Sequence, residues 1–494
     1  MKKWRWIHKW FSVVFGLVLL LWAASGIILN HRSLVSNVEV SRNLLPPNLT
    51  PENWNLASVR SAINWKDGWL VWGNIGIWQT DSTFSQWTPV MQGLLKGMDN
   101  RRTMRVIRTS DESLIAATQS GLYECVDGLH WKRITLPVDD EPIMDISESE
   151  GRIYAVSRSA VFMAKSKRPY EFDRIHLPDA SNEDGKTSMF RTLWVMHSGE
   201  IFGLAGKRIV DFLGLMLIFF VLTGYIYFFF PGLIKRLKKR GRQPNVLSKI
   251  NRLSIKWHNK LGLWLGVFLI FSALTGMFLR PPWLIAIAKI RVKKISGTTL
   301  DHKNTWHDKL RALRFNAKYG YFLIATNEGL YYSYDLDGKP AQPFPVQPPI
   351  SVMGINVLEE IENGSWLIGS FNGLFVWNPA TAFIADYITG ELYSKGPDVS
   401  SPIGSNMVAG MIRKTDQDFI FDYNRGLINH HLPMPAVLKE LPFPLWNLAL
   451  EMHTGRIFQF LIGPLYILLV PMIGIIAVLI LVSGLVVYIR RRFI

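Results

Sequence analysis

Four stretches of this 494-residue chain are apolar for about the 20 residues that a helix needs to cross a hydrocarbon core. They run from about Trp10 to Asn30, Ile209 to Phe230, Leu261 to Leu279 and Leu465 to Tyr488. Prolines and other breakers near 231 and 281 are expected to end the second and third helices. In the two long intervals between spans the pattern changes to alternation with period two. "GWLVWGNIGIWQT" at 68–80, "SLIAATQSGLYEC" at 113–125 and "RIYAVSRSAVFMA" at 152–164 lie in the first interval. "YFLIATNEGLYYS" at 321–333, "SWLIGSFNGLFVW" at 365–377 and a less regular "DFIFDYNRGLINH" at 418–430 lie in the second. Alternation around Asn/Ser-Gly turns predicts β-hairpins, and a period near 40–45 residues suits propeller blades. Three repeats per half would close one propeller and remove exposed sheet edges; two separate half-sheets are the other arrangement. Trp69, Trp72, Trp78, Trp366 and Trp377 are expected to pack between blades.

The predicted fold class is therefore a membrane protein: a four-transmembrane-helix bundle with an all-β periplasmic domain of propeller-like repeats. Composition supports burial, with 49 % hydrophobic and 13 % aromatic residues. Cys125 stands alone, which excludes an internal disulfide and a Cys-x-x-Cys metal site.

A net charge of +17 would fit nucleic acid, but its distribution points elsewhere. Residues 1–9 hold four Lys/Arg, 231–257 hold nine and 489–494 hold three, with no acidic residue in any of them; 39 basic residues then face 38 acidic ones elsewhere. The positive-inside rule places these three segments in the cytoplasm, so nucleic acid is excluded as a partner. Both termini are then inside and the long intervals periplasmic, in a bacterial inner membrane. The expected order is a first helix (1–31), periplasmic repeats (32–196) and a second helix with a periplasmic extension (197–232). A basic loop (233–256), a third helix (257–280), further repeats (281–452) and a last helix with extension and basic tail (453–494) follow. The first apolar run lacks a small-x-small cleavage site near its end and reads as a retained span.

The halves align. "WIHKWFSVVFGLVLLLWAASGIIL" at 6–29 matches "KWHNKLGLWLGVFLIFSALTGMFL" at 256–279, so that His8 and His258 each stand 18 residues before the Gly of Ser25-Gly26 and Thr275-Gly276. "VMHSGEIF" at 195–202 and "EMHTGRIF" at 451–458 match as well, with His197 leading to Thr223-Gly224 and His453 to Ser483-Gly484. Small pairs allow close helix approach in lipid, and also leave space for a flat macrocycle. An intramembrane imidazole is a functional hypothesis, weighed against interfacial anchoring. His8 and His31 are 23 residues apart on one helix, about 35 Å, and cannot share an iron. Symmetry gives two pairs, His8 with His258 and His197 with His453, with His31 able to replace a member of the outer pair. Two axial imidazoles would make a b-type haem, and two such haems would carry electrons from face to face.

These residues resemble the PepSY-associated transmembrane family, which includes iron-regulated inner-membrane proteins and ferric-siderophore reductases. The resemblance rests on His8-Lys-Trp with its run to Ser25-Gly26, "ILNHR" at 28–32, "MHSGEIFG" at 196–203 running to "LTGYIYF" at 222–228, "WHNKLGLWLG" at 257–266, and "MHTGRIF" running to "SGLVVYIRRR". It implies a haem-carrying bundle, here with two haem b, passing electrons to a periplasmic acceptor such as a ferric siderophore. The implied ligands are His8, His258, His197, His453 and His31. No PepSY-type soluble module is evident in either interval. No Gly-x-Gly-x-x-Gly follows a strand, so quinol in the bilayer or a separate cytoplasmic donor would supply electrons. The alternatives are a non-enzymatic membrane-anchored propeller acting as sensor or scaffold, and an accessory subunit of iron or siderophore uptake. Asp211 reads as an i,i+3 partner of Arg208; His302, His307, His430 and His431 could bind a metal or ferric ligand, but solvated loop positions are the favoured reading.

Overall fold

The computed structural model describes residues 2–137, 142–393, 404, 406–415 and 417–492. Contacts divide them into two units, one of residues 1–35, 185–301 and 445–494, the other of 36–184 and 302–444.

Among the described residues of the first unit, four helices are long and apolar enough to cross a membrane. The helical elements used below are α1 (Lys2–Asn30), α2 (Met189–Ser198), α3 (Gly203–Lys239), α4 (Asn245–Met277), α5 (Leu445–His453) and α6 (Leu469–Arg492). The long helices pack in a ring, α1 on α3, α3 on α4, α4 on α6 and α6 on α1. The second does not stop at the proline near 231: α3 runs through Pro231 for 37 residues, and α4 begins at Asn245. What was expected as a basic loop over 233–256 is thus mostly helix around a short turn. Proline removes one backbone donor, a loss that neighbouring helices re-satisfy in membrane helices, and the following "LIKRLKK" is made of good helix formers.

Two short helices explain the repeated Met-His-x-Gly. α2 starts at Ser188, whose Oγ accepts from Arg191 N at 3.1 Å, and stops at Gly199 in the left-handed region (φ 79°). Gly455 does the same after α5 (φ 73°). Only glycine takes that backbone state without cost. The chain therefore reverses two residues after each histidine. α2 then lies on α4, and α5 on α1. At Gly199 a Cβ would also meet Gly206 O at 2.3 Å.

The second unit consists of small antiparallel sheets. Among the described residues, five have four strands in sequential order and one has three, and a two-residue pairing joins Glu39–Val40 to Phe443–Pro444. Each of the six repeat stretches forms the hairpin at or beside the middle of one sheet, as in Gly68–Gly73 with Gly76–Asp81. The first strands of the six sheets are Ser61–Trp65, Thr103–Arg108, Ile143–Ser149, Leu310–Asn316, Ile355–Glu360 and Val408–Arg413. Each packs on the next, and the sixth packs on the first. Apolar clusters fill the spaces between neighbouring sheets. One joins the first, second and sixth through Trp69, Trp72, Trp78, Val106 and Phe421, and another joins the fourth and fifth through Leu323, Trp366 and Trp377. All five tryptophans expected between repeats are buried.

Cys125 lies in the first of these clusters with 1 % exposure. Burial, with Asp127 Oδ1 3.5 Å from its sulfur, pushes the thiol up to about 11. Because the thiolate is the nucleophile, Cys125 in the folded protein is expected not to react with maleimide at pH 7.5 and to label fully in guanidinium. Rapid labelling of native protein would contradict this burial.

Candidate functional site

Four buried hydroxyls, Ser25, Thr223, Thr275 and Ser483, each stand beside a glycine in the middle or end of a long helix. Each pair receives one histidine from a different helix. His8 Nδ1 donates to Ile480 O at 2.9 Å, with Ser483 Oγ at 3.5 Å. His197 Nδ1 donates to Ser272 O at 3.0 Å, with Thr275 Oγ1 at 3.5 Å. His453 Nδ1 donates to Trp22 O at 3.1 Å, with Ser25 Oγ at 3.2 Å; Trp22 Nε1 returns a bond to Met452 O at 3.0 Å. His258 Nδ1 donates to Thr223 Oγ1 at 2.8 Å, whose own proton goes to Phe219 O at 2.7 Å.

A carbonyl oxygen only accepts, so the proton sits on Nδ1. Nε2 then keeps its lone pair, the arrangement of a neutral metal-ligating imidazole. The glycines supply the room: a Cβ would lie 2.6 Å from His197 Cε1 at Gly276, 2.9 Å from His8 Cε1 at Gly484, 3.2 Å from His453 Cε1 at Gly26 and 3.8 Å from His258 Cε1 at Gly224.

The rings come together in two pairs. His8 and His258 have centroids 6.1 Å apart, and His197 and His453 5.9 Å apart. With a metal–nitrogen bond of about 2 Å and the ring centre about 1 Å behind the nitrogen, two axial imidazoles stand roughly 6 Å apart. The pairs occupy different levels of the bundle. On α1 they are separated by the step from His8 to Trp22–Ser25, and on α4 by that from His258 to Ser272–Thr275, roughly 20–25 Å at 1.5 Å per residue.

His31 joins neither pair. Its Nε2 lies 2.8 Å from Asp211 Oδ2, and Asn30 Nδ2 donates to Asp211 Oδ1 at 2.9 Å. This corrects the expected Arg208–Asp211 pair: Arg208 stays exposed, whereas Asp211 turns toward α1 with 14 % of its side chain exposed. Near the second pair, Arg280 Nη2 donates to Thr454 O at 3.3 Å while its buried Nε has no hydrogen-bond partner among the described residues, and Arg456 Nε donates to buried Glu451 at 2.6 Å. Local sequence carried no signal for Arg280, which follows the third span as an ordinary flanking cation. In the other unit, His302 and His307 stack at 4.3 Å, and His430 and His431 are exposed. No cluster of three or more His, Cys, Asp or Glu able to hold a metal ion occurs among the described residues.

Membrane-length helices and a large β unit define a multi-pass membrane protein with a large β domain. The chain belongs to the PepSY-associated TM region family, whose profile matches residues 1–230 and again 230–491. No curated protein matches. Among solved structures, the extracellular domain of the hybrid two component system BT3049 from B. thetaiotaomicron is similar at 13 % identity and TM-score 0.33, over 76 % of this chain and 38 % of that one. Virginiamycin B lyase from Staphylococcus aureus is similar at 7 % identity and TM-score 0.35, over 76 % and 81 %. At these scores neither likeness bears on function.

Proposed function

We propose that the chain is an inner-membrane b-type haem protein that passes electrons across the bilayer to a periplasmic acceptor, with a ferric siderophore as the acceptor class its family favours. The observation that supports this reading is the twofold recurrence of paired imidazoles with ring centres about 6 Å apart, each with Nδ1 occupied by a carbonyl or hydroxyl. His8 with His258, and His197 with His453, would each hold one haem. When bound, the haem iron supplies reversible one-electron chemistry.

The remaining work falls to the chain. Carbonyls of Ile480, Ser272 and Trp22 and the Thr223 hydroxyl fix the tautomer and the ring direction. The glycines let each ring lie against a helix. The orphaned Nε of Arg280, beside the residue that follows His453, is suited to a carboxylate on the rim of the macrocycle. Basic residues cluster at the ends of α3 and α6 and at the start of α1, nearest His8 and His258, so this end faces the cytoplasm. Both termini are then cytoplasmic. The cyclic packing of the six first strands supports a six-bladed propeller in the periplasm. Quinol or a cytoplasmic reductant would deliver electrons.

The test is the absorption spectrum of protein purified from haem-replete cells. Sharp reduced α and β bands with two haems per chain are expected; a colourless protein with intact helices would favour the scaffold reading.

A further inference from the structure

Helix α4 begins at Asn245, although its apolar run starts only at Leu261. At 1.5 Å per residue the part in between reaches roughly 24 Å beyond the span, whereas the headgroup layer is only about 5–7 Å deep on each side of the hydrocarbon. Most of it therefore stands in water. Four large apolar side chains are nevertheless exposed there: Val246 at 71 %, Ile250 at 40 %, Leu253 at 53 % and Trp257 at 39 %. Their spacing of four, three and four residues puts them in one stripe, about 60° wide at about 100° per residue. An apolar stripe kept in water marks a surface that is covered by something.

A second stripe runs beside the first. Lys249, Arg252, Lys256 and Lys260 are all exposed and occupy about the next 80° of the helix surface. The opposite side is already taken: Ser254 is buried, and Leu247, Asn251, Ile255 and His258 are half-buried. No acidic residue occurs between Asp211 and Asp301, and the other two segments at this end of the bundle, 1–9 and 489–494, hold none either. The carboxylates that would complement the cationic stripe are thus foreign to this end of the chain.

Three occupants compete for such a surface. Lipid reaches only the turn nearest the span, because α4 continues into a membrane-crossing helix and so rises out of the interface and does not lie in it. A second copy would set the nine Lys/Arg of its own 231–257 against these. An acidic protein with an apolar groove matches both stripes at once, as in the recognition of other basic amphipathic helices.

We propose that residues 246–260 of α4 form the docking face for an acidic cytoplasmic protein. Its apolar groove takes Val246, Ile250, Leu253 and Trp257, and its carboxylates meet Lys249, Arg252 and Lys256. The proposal rests on the reading above only for the cytoplasmic side of this end, and does not depend on haem.

The experiment uses the full chain in cells, with p-benzoylphenylalanine replacing Ile250 or Leu253, and Ser248 or Ile255 as controls, followed by ultraviolet crosslinking. A discrete adduct is expected from 250 and 253 only, to a protein that mass spectrometry identifies as rich in Asp and Glu and whose purified form binds the detergent-solubilised chain. Lys249→Gln, Arg252→Gln and Lys256→Gln together should weaken that binding at least about fivefold, and added salt should weaken it too. No adduct, an adduct at twice the chain's mass, adducts to lipid alone, equal yields from all four positions, or binding indifferent to the three cations overturns the proposal. Because Cys125 is buried, Gln243→Cys reports sidedness separately through a membrane-impermeant maleimide on intact cells. Labelling there would overturn the cytoplasmic reading and the proposal together, whereas protection without an adduct would overturn the proposal alone.

Discussion

His197→Ala or His453→Ala is expected to cut haem content from two per chain to one, and His8→Ala or His258→Ala to remove the other. The reason is geometric. Within each pair the ring centres stand about 6 Å apart and the rings are held by separate helices, so loss of one leaves its partner without a second imidazole. Between pairs the step along α1 and α4 is roughly 20–25 Å, beyond the range at which substitutions usually couple. Haemochrome stoichiometry and the amplitude of the reduced α band measure the outcome. A single substitution that abolishes both haems in a folded protein, or neither, would refute the pairwise assignment.

The glycines make a graded test that leaves every histidine in place. Gly276→Ala puts a methyl 2.6 Å from His197 Cε1 and 3.0 Å from its Nδ1, and Gly484→Ala puts one 2.9 Å from His8 Cε1. Either forces the ring off its carbonyl. At an overpacking cost of about 1–3 kcal/mol, haem affinity should fall roughly 5- to 150-fold. Gly26→Ala, at 3.2 Å from His453 Cε1, needs only a few tenths of an ångström of yield and should be intermediate. Gly224→Ala, at 3.8 Å from His258 Cε1, is an ordinary contact and should be silent. Haem retention after dialysis against apomyoglobin ranks the four. Equal effects at 276 and 224 would show that these glycines serve helix packing generally and not the imidazoles.

Much of this arrangement is written in the chain, but at different depths. Apolar runs of bilayer length, period-two alternation and the repeated Met-His-x-Gly are local signals, and the corresponding helices, hairpins and chain reversals are where those signals lie. The spacing of 18 residues from His8 to Gly26 is also visible, yet it misleads if read as a contact. Gly26 lies against His453 on another helix, and His8 lies against Gly484. No rule of spacing yields such a match, because it is set by how four helices pack. The end of α3 departs from the local pattern for a related reason: Pro231 breaks helices in water, whereas a bundle in lipid tolerates one lost donor. Asp211 likewise chose His31, on another helix, over the cation one turn away on its own.

Of the four paired histidines, the two from the first half rest on hydroxyl–glycine steps from the second, and the two from the second on steps from the first. A half-length ancestor would have had no cradle for its own imidazoles as a monomer, whereas two identical copies could have seated all four reciprocally. The present chain holds both family matches in one molecule and so supplies each half with the other's steps. Asn30 and Arg280 occupy equivalent positions yet now carry different chemistry.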